Sequence, residues 1–461
     1  MTLEAFCKTP AHFSVALLGF GRANRAVLAW LKEKGGTATV YTEAPLPFEI
    51  ENTYAEQGIV IHVGAFPAVF PEQVLIRSPG IRPDIPAILQ SVAAGALLTS
   101  EVELLMSLLP CRCIGITGSD GKTTTASLTA ALLRAAGYRV WLGGNNGTPL
   151  LPAVSQMSES DIAVLELSSF QLMTVRRAPE VAVITNITPN HLNWHADMEE
   201  YIAAKCRIFT PDMRLVLNAE NALARKVGEG KMGDVIFFSS SAHTADFATD
   251  IVAGSGAVYA SGSDIVVVEK GMRRAFSCLG SFSLPGKHNL ENLLAAIGAT
   301  APFLKDDAPH AALREFRGVA HRLEYVDTVR GVTYYNSSID TSPTRTAAAL
   351  AALGTRPLVI VGGRGKGISF EPLAVALAAH AKAAYLYGEA AGEIAAVLGA
   401  ALPYRSFSCF ADAFLAAVGD AKEGDTVLLS PACTAFGEFR DFEERGEVFC
   451  RLVQGLAKER I

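Results

Sequence analysis

The stretch GITGSDGKTTTA, residues 115–126, joins an apolar run to a helix-like run through glycines and a lysine. Upstream, RCIGITG (112–118) reads as a buried strand; downstream, ASLTAALLRAAG reads as a helix closed by glycine. Strand, glycine-bearing turn and helix N-terminus together form an anion site, because unpaired N–H groups and the positive end of the helix dipole face the turn. The usual spacing G-x-x-x-x-G-K-[ST] requires glycine at 116, where the chain has Ile116. The phosphate loop is therefore a shortened one, GSDGKTT (118–124). Gly118 and Gly121 let the backbone approach phosphate oxygens, with Ser119, Asp120 and Thr124 completing the loop. Lys122 can neutralise the phosphates, and the Thr123 hydroxyl is placed to ligate magnesium. Asp120 beside a polyanion is expected to point outward.

Outward from this loop, strand-like and helix-like runs alternate through most of the chain, which predicts an α/β fold of parallel sheets with crossover helices. SVALLGF (14–20), TATVYT (37–42), IVIHVG (59–64) and VLIRSPG (74–80) read as strands of a small doubly wound N-terminal sheet. A second series runs from RCIGITG through RVWLGG (139–144), DIAVLELSS (161–169), EVAVITNIT (180–188) and RLVLNAE (214–220). Between about 235 and 283, short apolar runs separated by Gly and Ser predict an antiparallel insertion or extension. A third series begins near Arg317 and contains LEYVDTVRGVTYYN, PLVIVGG, AAYLYG and DTVLLSPA. Boundaries near 99 and 316 divide the chain into residues 1–99, 100–316 and 317–461.

Composition fixes the ligand class more than the fold. Of 461 residues, half are hydrophobic and 19% are charged, ample for packed cores. A formal charge of -6 and a pI near 5.9 give no electrostatic case for nucleic acid or an anionic membrane as partner. Small molecules are the default ligands. The N-terminus lacks a signal-peptide pattern and no apolar stretch is long enough for a membrane helix, so a cytoplasmic location is expected. Eight scattered cysteines, with Cys111 and Cys113 the only close pair, predict reduced structural thiols rather than a metal knuckle.

Six further features carry chemistry. GFGRAN (19–24) follows a strand and opens a helix, so Gly19, Phe20, Gly21 and Arg22 can face a diphosphate; its third glycine position is Asn24, and a purely structural turn is the alternative. Thr42 and Glu43 end the second strand and can meet a ribose hydroxyl, while RSPGI (77–81) ends another strand at the same edge. Glu166 interrupts the apolar run AVLELSSFQL, where a carboxylate costs several kcal/mol unless paired or metal-bound. His191 ends the predicted strand VAVITNITPNH, and Lys205 lies in the helical pattern MEEYIAAKCRIF. Singly, His191 reads as a structural histidine and Lys205 as a solvated one; with Thr123 and Glu166 they form a donor set suited to magnesium.

The segments GSDGKTT, ELSSFQL, NITPNHLNWH, YIAAKCRIF, GKHNLEN, HRLEY and SPACTAFGEFRDFEERG occur in this order, and the chain thereby resembles the Mur ligases across its length. ELSSFQL points to the branch of that family that adds D-glutamate. The resemblance implies an N-terminal Rossmann-like UDP-binding domain, a central P-loop-like ATPase domain with a parallel sheet plus a small antiparallel sheet, and a C-terminal Rossmann-like domain that receives the amino acid. It also implies ATP-dependent joining of D-glutamate to UDP-N-acetylmuramoyl-L-alanine through an acyl phosphate, in peptidoglycan precursor synthesis, by a monomer. Carried over residue by residue, Thr123 and Glu166 hold one magnesium, His191 a second, and Lys205 is carbamylated by CO2. Asn289 and Arg322 contact ATP, the latter from the C-terminal domain; Ser78, Pro79, Gly80 and Asn145 lie near the UDP-sugar; Thr341, Lys366 and Phe442 face substrate. The chain departs from the family at Ser337 (commonly Asp), Ile339 (Lys in many members), Ala435 (often Ser), and Asn190 and Asn193 (commonly Asp).

Other readings account for less. A folate-polyglutamate ligase lacks a full domain before the ATP loop, and a sister Mur ligase carries other residues after the glutamate of ELSSFQL. A dinucleotide-dependent oxidoreductase leaves GSDGKTT unexplained, and a non-catalytic UDP-sugar-binding relative has no use for Lys122, Glu166, His191 and Lys205 together.

Overall fold

The structure is a computed structural model that describes residues 2–145, 148–210, 213–229, 233–284 and 286–458. Five short strands form the first sheet: β1 (Val15–Leu18), β2 (Thr39–Thr42), β3 (Ile61–Val63), β4 (Val74–Arg77) and β5 (Leu97–Thr99). They are all parallel, in the order β3-β2-β1-β4-β5. VALL and VLIR are buried at every position, as central parallel strands covered on both faces require. The strand order reverses between β1 and β4, and the turns that follow these two strands open at one carboxyl edge, where α/β sheets take ligands.

The second sheet contains β6 (Arg112–Thr117), β7 (Val140–Gly144), β8 (Ile162–Glu166), β9 (Val181–Ile184), β10 (Arg214–Asn218), β11 (Val235–Ser239), β12 (Gly256–Ser261), β13 (Asp264–Glu269) and β14 (Met272–Ser277). Its order is β14-β13-β12-β11-β10-β9-β6-β8-β7. The antiparallel strands β13 and β14 continue the parallel sheet at one edge rather than standing apart from it. The helix Lys122–Ala135 follows β6 directly, and its buried side, from Ala126 through Leu128, Leu132 and Leu133, packs on this sheet.

The third sheet joins β15 (Glu324–Val329), β16 (Val332–Asn336), β17 (Leu358–Gly362), β18 (Ala383–Tyr387), β19 (Tyr404–Phe407) and β20 (Thr426–Ala432), in the order β15-β16-β20-β17-β18-β19. Only β15 is antiparallel, so its first residue, Glu324, stands opposite Asn336 at the carboxyl end of β16. Up to Ser283, and again over Lys287–Phe316, the described residues form one compact unit; Leu284, Gly286 and the described residues from Arg317 onward form a second. Among the described residues no helix is long and apolar enough to cross a membrane.

Two strands escape the sequence reading. β5, LLT, is buried but only three residues long, too short to show a period, and β19, YRSF, lies at an edge with mostly exposed side chains and so has no apolar signature. One placement is corrected: β9 ends at Ile184, so His191 does not end a strand but sits in the following turn with φ +57°.

Candidate active site

β6 lies between β8 and β9, and the phosphate loop with Glu166, His191 and Lys205 is carried by these three strands, the segments that follow them, or the helix Met198–Cys206. Glu166 pairs in register with Ile116, two residues before the loop begins. In that loop Gly118 and Gly121 have φ of +152° and +79°, conformations that a side chain disfavours. A Cβ on Gly121 would also collide with Asn292 Oδ1 and one on Gly118 with Thr185 Oγ1, so both glycines are dictated by the packing around the loop as well as by ligand access.

The loop is pinned from β9's following segment. Asn186 Oδ1 accepts from Asp120 N at 2.9 Å, Thr185 Oγ1 donates to Asp120 O at 2.6 Å, and Ser119 Oγ lies 2.8 Å from the Tyr201 hydroxyl. Asp120 is exposed, as the sequence predicts. Sequence reasoning misses Thr185, Asn186 and Tyr201; for Thr185 and Asn186 the available signal is their polarity immediately after the apolar strand, in VITN, whereas Tyr201 lies in the helix Met198–Cys206 with no such signal.

Two ammonium groups converge on one carbonyl. Lys122 Nζ donates to Gly118 O at 3.1 Å and to Ser119 O at 2.9 Å, and Lys205 Nζ donates to Gly118 O at 2.7 Å. Lys205 is 1% exposed, so it is not a solvated helix lysine. Burial, followed by the charge on Lys122, pulls its ammonium down to about 7 against the opposing effect of Asp120 and Cys206. Burial likewise lowers His191, followed by Lys122, Lys205 and His195. Three basic side chains therefore share one electrostatic neighbourhood, an arrangement that attracts a polyanion.

Glu166 supplies the opposite sign. It is 2% exposed; its Oε1 accepts from Asn145 Nδ2 at 2.8 Å, and its Oε2 is buried without a hydrogen-bond partner. A carboxylate oxygen left orphaned in a protein interior is expensive unless a cation meets it. Thr123 is buried at the start of the helix Lys122–Ala135. The described residues contain no group of three or more His, Cys, Asp or Glu able to cage a metal by themselves. A hydroxyl and a carboxylate beside a phosphate site nevertheless suit magnesium, which keeps most of its ligands as water and phosphate. Thr124 is also buried there, and Asn289 lies in the first turn of the helix Lys287–Thr300, whose Asn292 lies 3.2 Å from Thr125 Oγ1.

The first sheet brings the GFGRAN and RSPGI loops together. A Cβ on Gly19 would stand 3.0 Å from Ser78 Oγ, so the two turns touch. Phe20 is buried, Gly21 caps the helix Arg22–Glu33, and Arg22 begins it. Asn24, at the third glycine position, has a structural explanation: its fully buried Nδ2 donates to Leu18, Gly19 and Ile76 carbonyls at 2.9, 2.7 and 3.1 Å, tying the two central strands at their open edge. Thr42 Oγ1 is engaged with Ala44 O at 2.8 Å. Asn145 borders the undescribed residues 146 and 147.

In the second unit, Thr341, Lys366 and Phe442 follow β16, β17 and β20, adjacent strands whose carboxyl ends share an edge. Lys366 Nζ donates to Thr341 Oγ1 at 3.0 Å, and the Phe442 ring lies 6.1 Å from that of His321. Arg322 precedes β15 and, because β15 is antiparallel, stands at the same edge. Ser337 is buried and its Oγ accepts from Leu323 N at 3.1 Å, while Ile339 is half-buried. Ala435 is buried; its neighbour Thr434 carries a hydroxyl that donates to Arg364 O at 3.0 Å, anchoring the Lys366 loop. Nothing in the structure explains Asn190 or Asn193.

Comparison with known proteins agrees with this geometry. Residues 116–300 match the Mur ligase middle domain and residues 321–433 the Mur ligase glutamate ligase domain. UDP-N-acetylmuramoylalanine–D-glutamate ligase of Ruminiclostridium cellulolyticum is 36% identical over 98% of this chain and 99% of its own, and that of Symbiobacterium thermophilum 38% identical over 96% and 98%. Among solved structures, UDP-N-acetylmuramate-alanine ligase of Thermotoga maritima superposes with a TM-score of 0.56 at 18% identity, covering 96% of this chain and 100% of its own. An Escherichia coli folate-pathway relative solved with ADP bound gives 0.52 at 17% identity over 78% and 94%.

Proposed function

The chain belongs to the Mur ligase family, and from that premise we propose that it is an ATP-dependent amide-bond-forming ligase joining D-glutamate to UDP-N-acetylmuramoyl-L-alanine in peptidoglycan precursor synthesis. The observation that carries the chemistry is the pairing of a shortened phosphate loop with the orphaned, buried Glu166 oxygen. The full-length identity to relatives bearing that activity in their names supports the substrates. In this reading residues 1–99 bind the UDP-substrate, 100–316 bind ATP and 317–461 receive the amino acid. The protein acts as a cytoplasmic monomer.

A carboxylate is a poor electrophile at neutral pH. Transfer of the ATP γ-phosphoryl group to an oxygen of the L-alanyl carboxylate gives an acyl phosphate and ADP. The D-glutamate amine attacks its carbonyl carbon, a C–N bond forms, and the C–O bond to the phosphorylated oxygen breaks so that this oxygen leaves in inorganic phosphate, one proton being released per turnover. Positioning and charge neutralisation dominate such a transfer. Lys122 neutralises the phosphates from the loop, whose backbone N–H groups orient them. Thr123 and Glu166 would hold one magnesium and His191 a second; bound magnesium supplies Lewis-acid stabilisation of the transferring group. Lys205 as an ammonium would repel such ions. Held near neutrality, its amine can take up CO2 as a carbamate, an anion with oxygen donors, which removes that conflict. Asn289 and Arg322 contact ATP; Gly19, Phe20, Gly21, Arg22, Ser78, Pro79, Gly80 and Asn145 the UDP-sugar; Thr341, Lys366 and Phe442 the amino acid. The substitutions at Ser337, Ile339 and Ala435 are lineage variation.

Phosphate release with ATP, magnesium and UDP-N-acetylmuramoyl-L-alanine tests this, comparing D-glutamate with L-glutamate and a panel of other amino acids. Turnover confined to D-glutamate is expected. Turnover with another amino acid alone would move the enzyme within its family, and rapid hydrolysis of ATP without either co-substrate would make it an ordinary ATPase.

A further inference from the structure

Two arginines at the carboxyl edge of the first sheet reach the second. Arg77, 1% exposed, donates through Nη1 to the carbonyls of Pro79 and Ile81 at 3.2 and 2.8 Å, shaping the RSPGI turn, and through Nη2 to Phe170 O in ELSSFQL. Arg82 makes a wider clasp. Its guanidinium binds Glu200 at 2.7 and 3.1 Å, donates to Trp194 O at 2.5 Å, is braced by Asp84 at 2.7 and 2.8 Å, and lies 5.1 Å from the centre of the Trp194 ring. Trp194 Nε1 returns a bond to Gly80 O at 3.1 Å.

The same residues frame His191. The N–H groups of Trp194 and His195 both donate to His191 O at 3.0 Å. His195 is buried, with Nδ1 3.1 Å from Glu200 and Nε2 2.9 Å from Ser169 Oγ. His191 itself is left-handed at φ +57°, a conformation that persists only where the surrounding bonds impose it. The Phe170 ring sits 4.9 Å from the His191 ring and 4.4 Å from Trp194. Thus the turn that presents His191 is fastened to the turn that carries Ser78, Pro79 and Gly80, and the fastening passes through Arg82.

We infer that Arg82 is a positioning residue that registers the UDP-sugar turn with the His191 turn, so that occupancy of the UDP-substrate site and of the magnesium site are coupled. This rests on the proposed ligase function. Arg82 has the planar, multi-donor fork needed to hold a carboxylate and a carbonyl at once, which a lysine lacks. Coupling of this kind is reciprocal: if magnesium tightens the UDP-substrate, the UDP-substrate tightens magnesium by the same factor.

The test is calorimetric titration of UDP-N-acetylmuramoyl-L-alanine into the full chain with a non-hydrolysable ATP analogue, with and without magnesium. Wild type is expected to bind on the order of tenfold more tightly with magnesium. Arg82→Ala should retain binding of the ATP analogue and of the UDP-substrate, with the magnesium effect reduced to near unity. Arg82→Lys, which keeps the charge opposite Glu200, should fall between them and keeps the test decisive if the alanine variant does not fold. A magnesium effect unchanged in Arg82→Lys and Arg82→Ala, or absent from wild type, overturns the inference. Failure of wild type to bind the UDP-substrate at all would instead overturn the proposed function beneath it.

Discussion

Replacing Lys205 by methionine should abolish ligase activity and make the metal-free protein more stable. In the native chain the Lys205 ammonium is buried against Gly118 O and titrates near 7, compared with 10.5 for an unhindered lysine. The difference, 10.5 − 7 = 3.5 units, corresponds to about 5 kcal/mol by which the fold disfavours the charged form. Loss of the hydrogen bond to Gly118 returns about 1 kcal/mol, leaving roughly 4 kcal/mol of net gain for the neutral, similarly sized methionine. The sign with pH follows from linkage: the unfolded chain binds the extra proton between pH 7 and 10.5, so wild-type stability rises across that window. The advantage of Lys205→Met should accordingly be greatest at pH 7 and below and shrink towards pH 10. Urea unfolding in CO2-free buffer with chelator measures this, and Trp30, Trp141 and Trp194, all within the first compact unit, report it by fluorescence. A methionine variant no more stable than wild type at pH 7, or an advantage independent of pH, would refute the account of Lys205 as a strained buried amine.

Gly121→Ala should lower ATP affinity and also cost about 1–2 kcal/mol of stability, because φ is +79° there and the new Cβ meets Asn292; unaltered ATP binding by calorimetry would count against the loop assignment. Asp340 is buried, its Oδ2 accepts from Ser430 Oγ at 2.8 Å, and burial raises its carboxyl to about 6, so the stability it contributes below pH 3.8 is lost as pH rises through 6. Asp340→Asn should flatten stability over that window by about 3 kcal/mol, which denaturation at pH 4 and 7 would show. Lys366→Ala should raise KM for D-glutamate at least tenfold with little change in KM for ATP, as expected for a group that binds only the amino acid; equal changes in both would reassign it.

The α/β alternation and the phosphate loop were legible because both rest on local signals: continuous apolar runs for buried parallel strands, and glycines flanking a lysine at a strand-to-helix turn. Glu166 was legible for the opposite reason, as a carboxylate where the pattern demands an apolar residue. Lys205 by itself reads as a solvated helix lysine and stood out only in company with Thr123, Glu166 and His191, since its burial depends on how the helix Met198–Cys206 packs beneath Gly118. β19 was illegible because an exposed edge strand needs no apolar face. Asn24 looked like a defect in a glycine fingerprint, yet its amide performs in side-chain hydrogen bonds what a close helix approach performs elsewhere. The clasp of Arg82 was beyond sequence because Gly80, Trp194 and Glu200 are distant in the chain, and nothing in RSPGIRPD announces their meeting.

The gathering of Lys122, Lys205 and His191 explains why a site with so much positive charge tolerates being formed before its substrates arrive. Burial, reinforced by Lys122 and the neighbouring basic groups, lowers the proton affinity of His191 and Lys205, so the site holds its imidazole and one amine close to neutrality instead of three full charges. Without an anion the site loses charge, and with ATP bound the phosphates favour its return. Binding of the nucleotide should therefore draw protons onto this cluster, unless CO2 has already claimed the Lys205 amine. Proton uptake measured calorimetrically in buffers of different ionisation enthalpy separates these cases: uptake near pH 7.5 in CO2-free solution that vanishes on adding bicarbonate is expected. Uptake identical in both, in wild type and in Lys205→Met, would place the titrating group elsewhere.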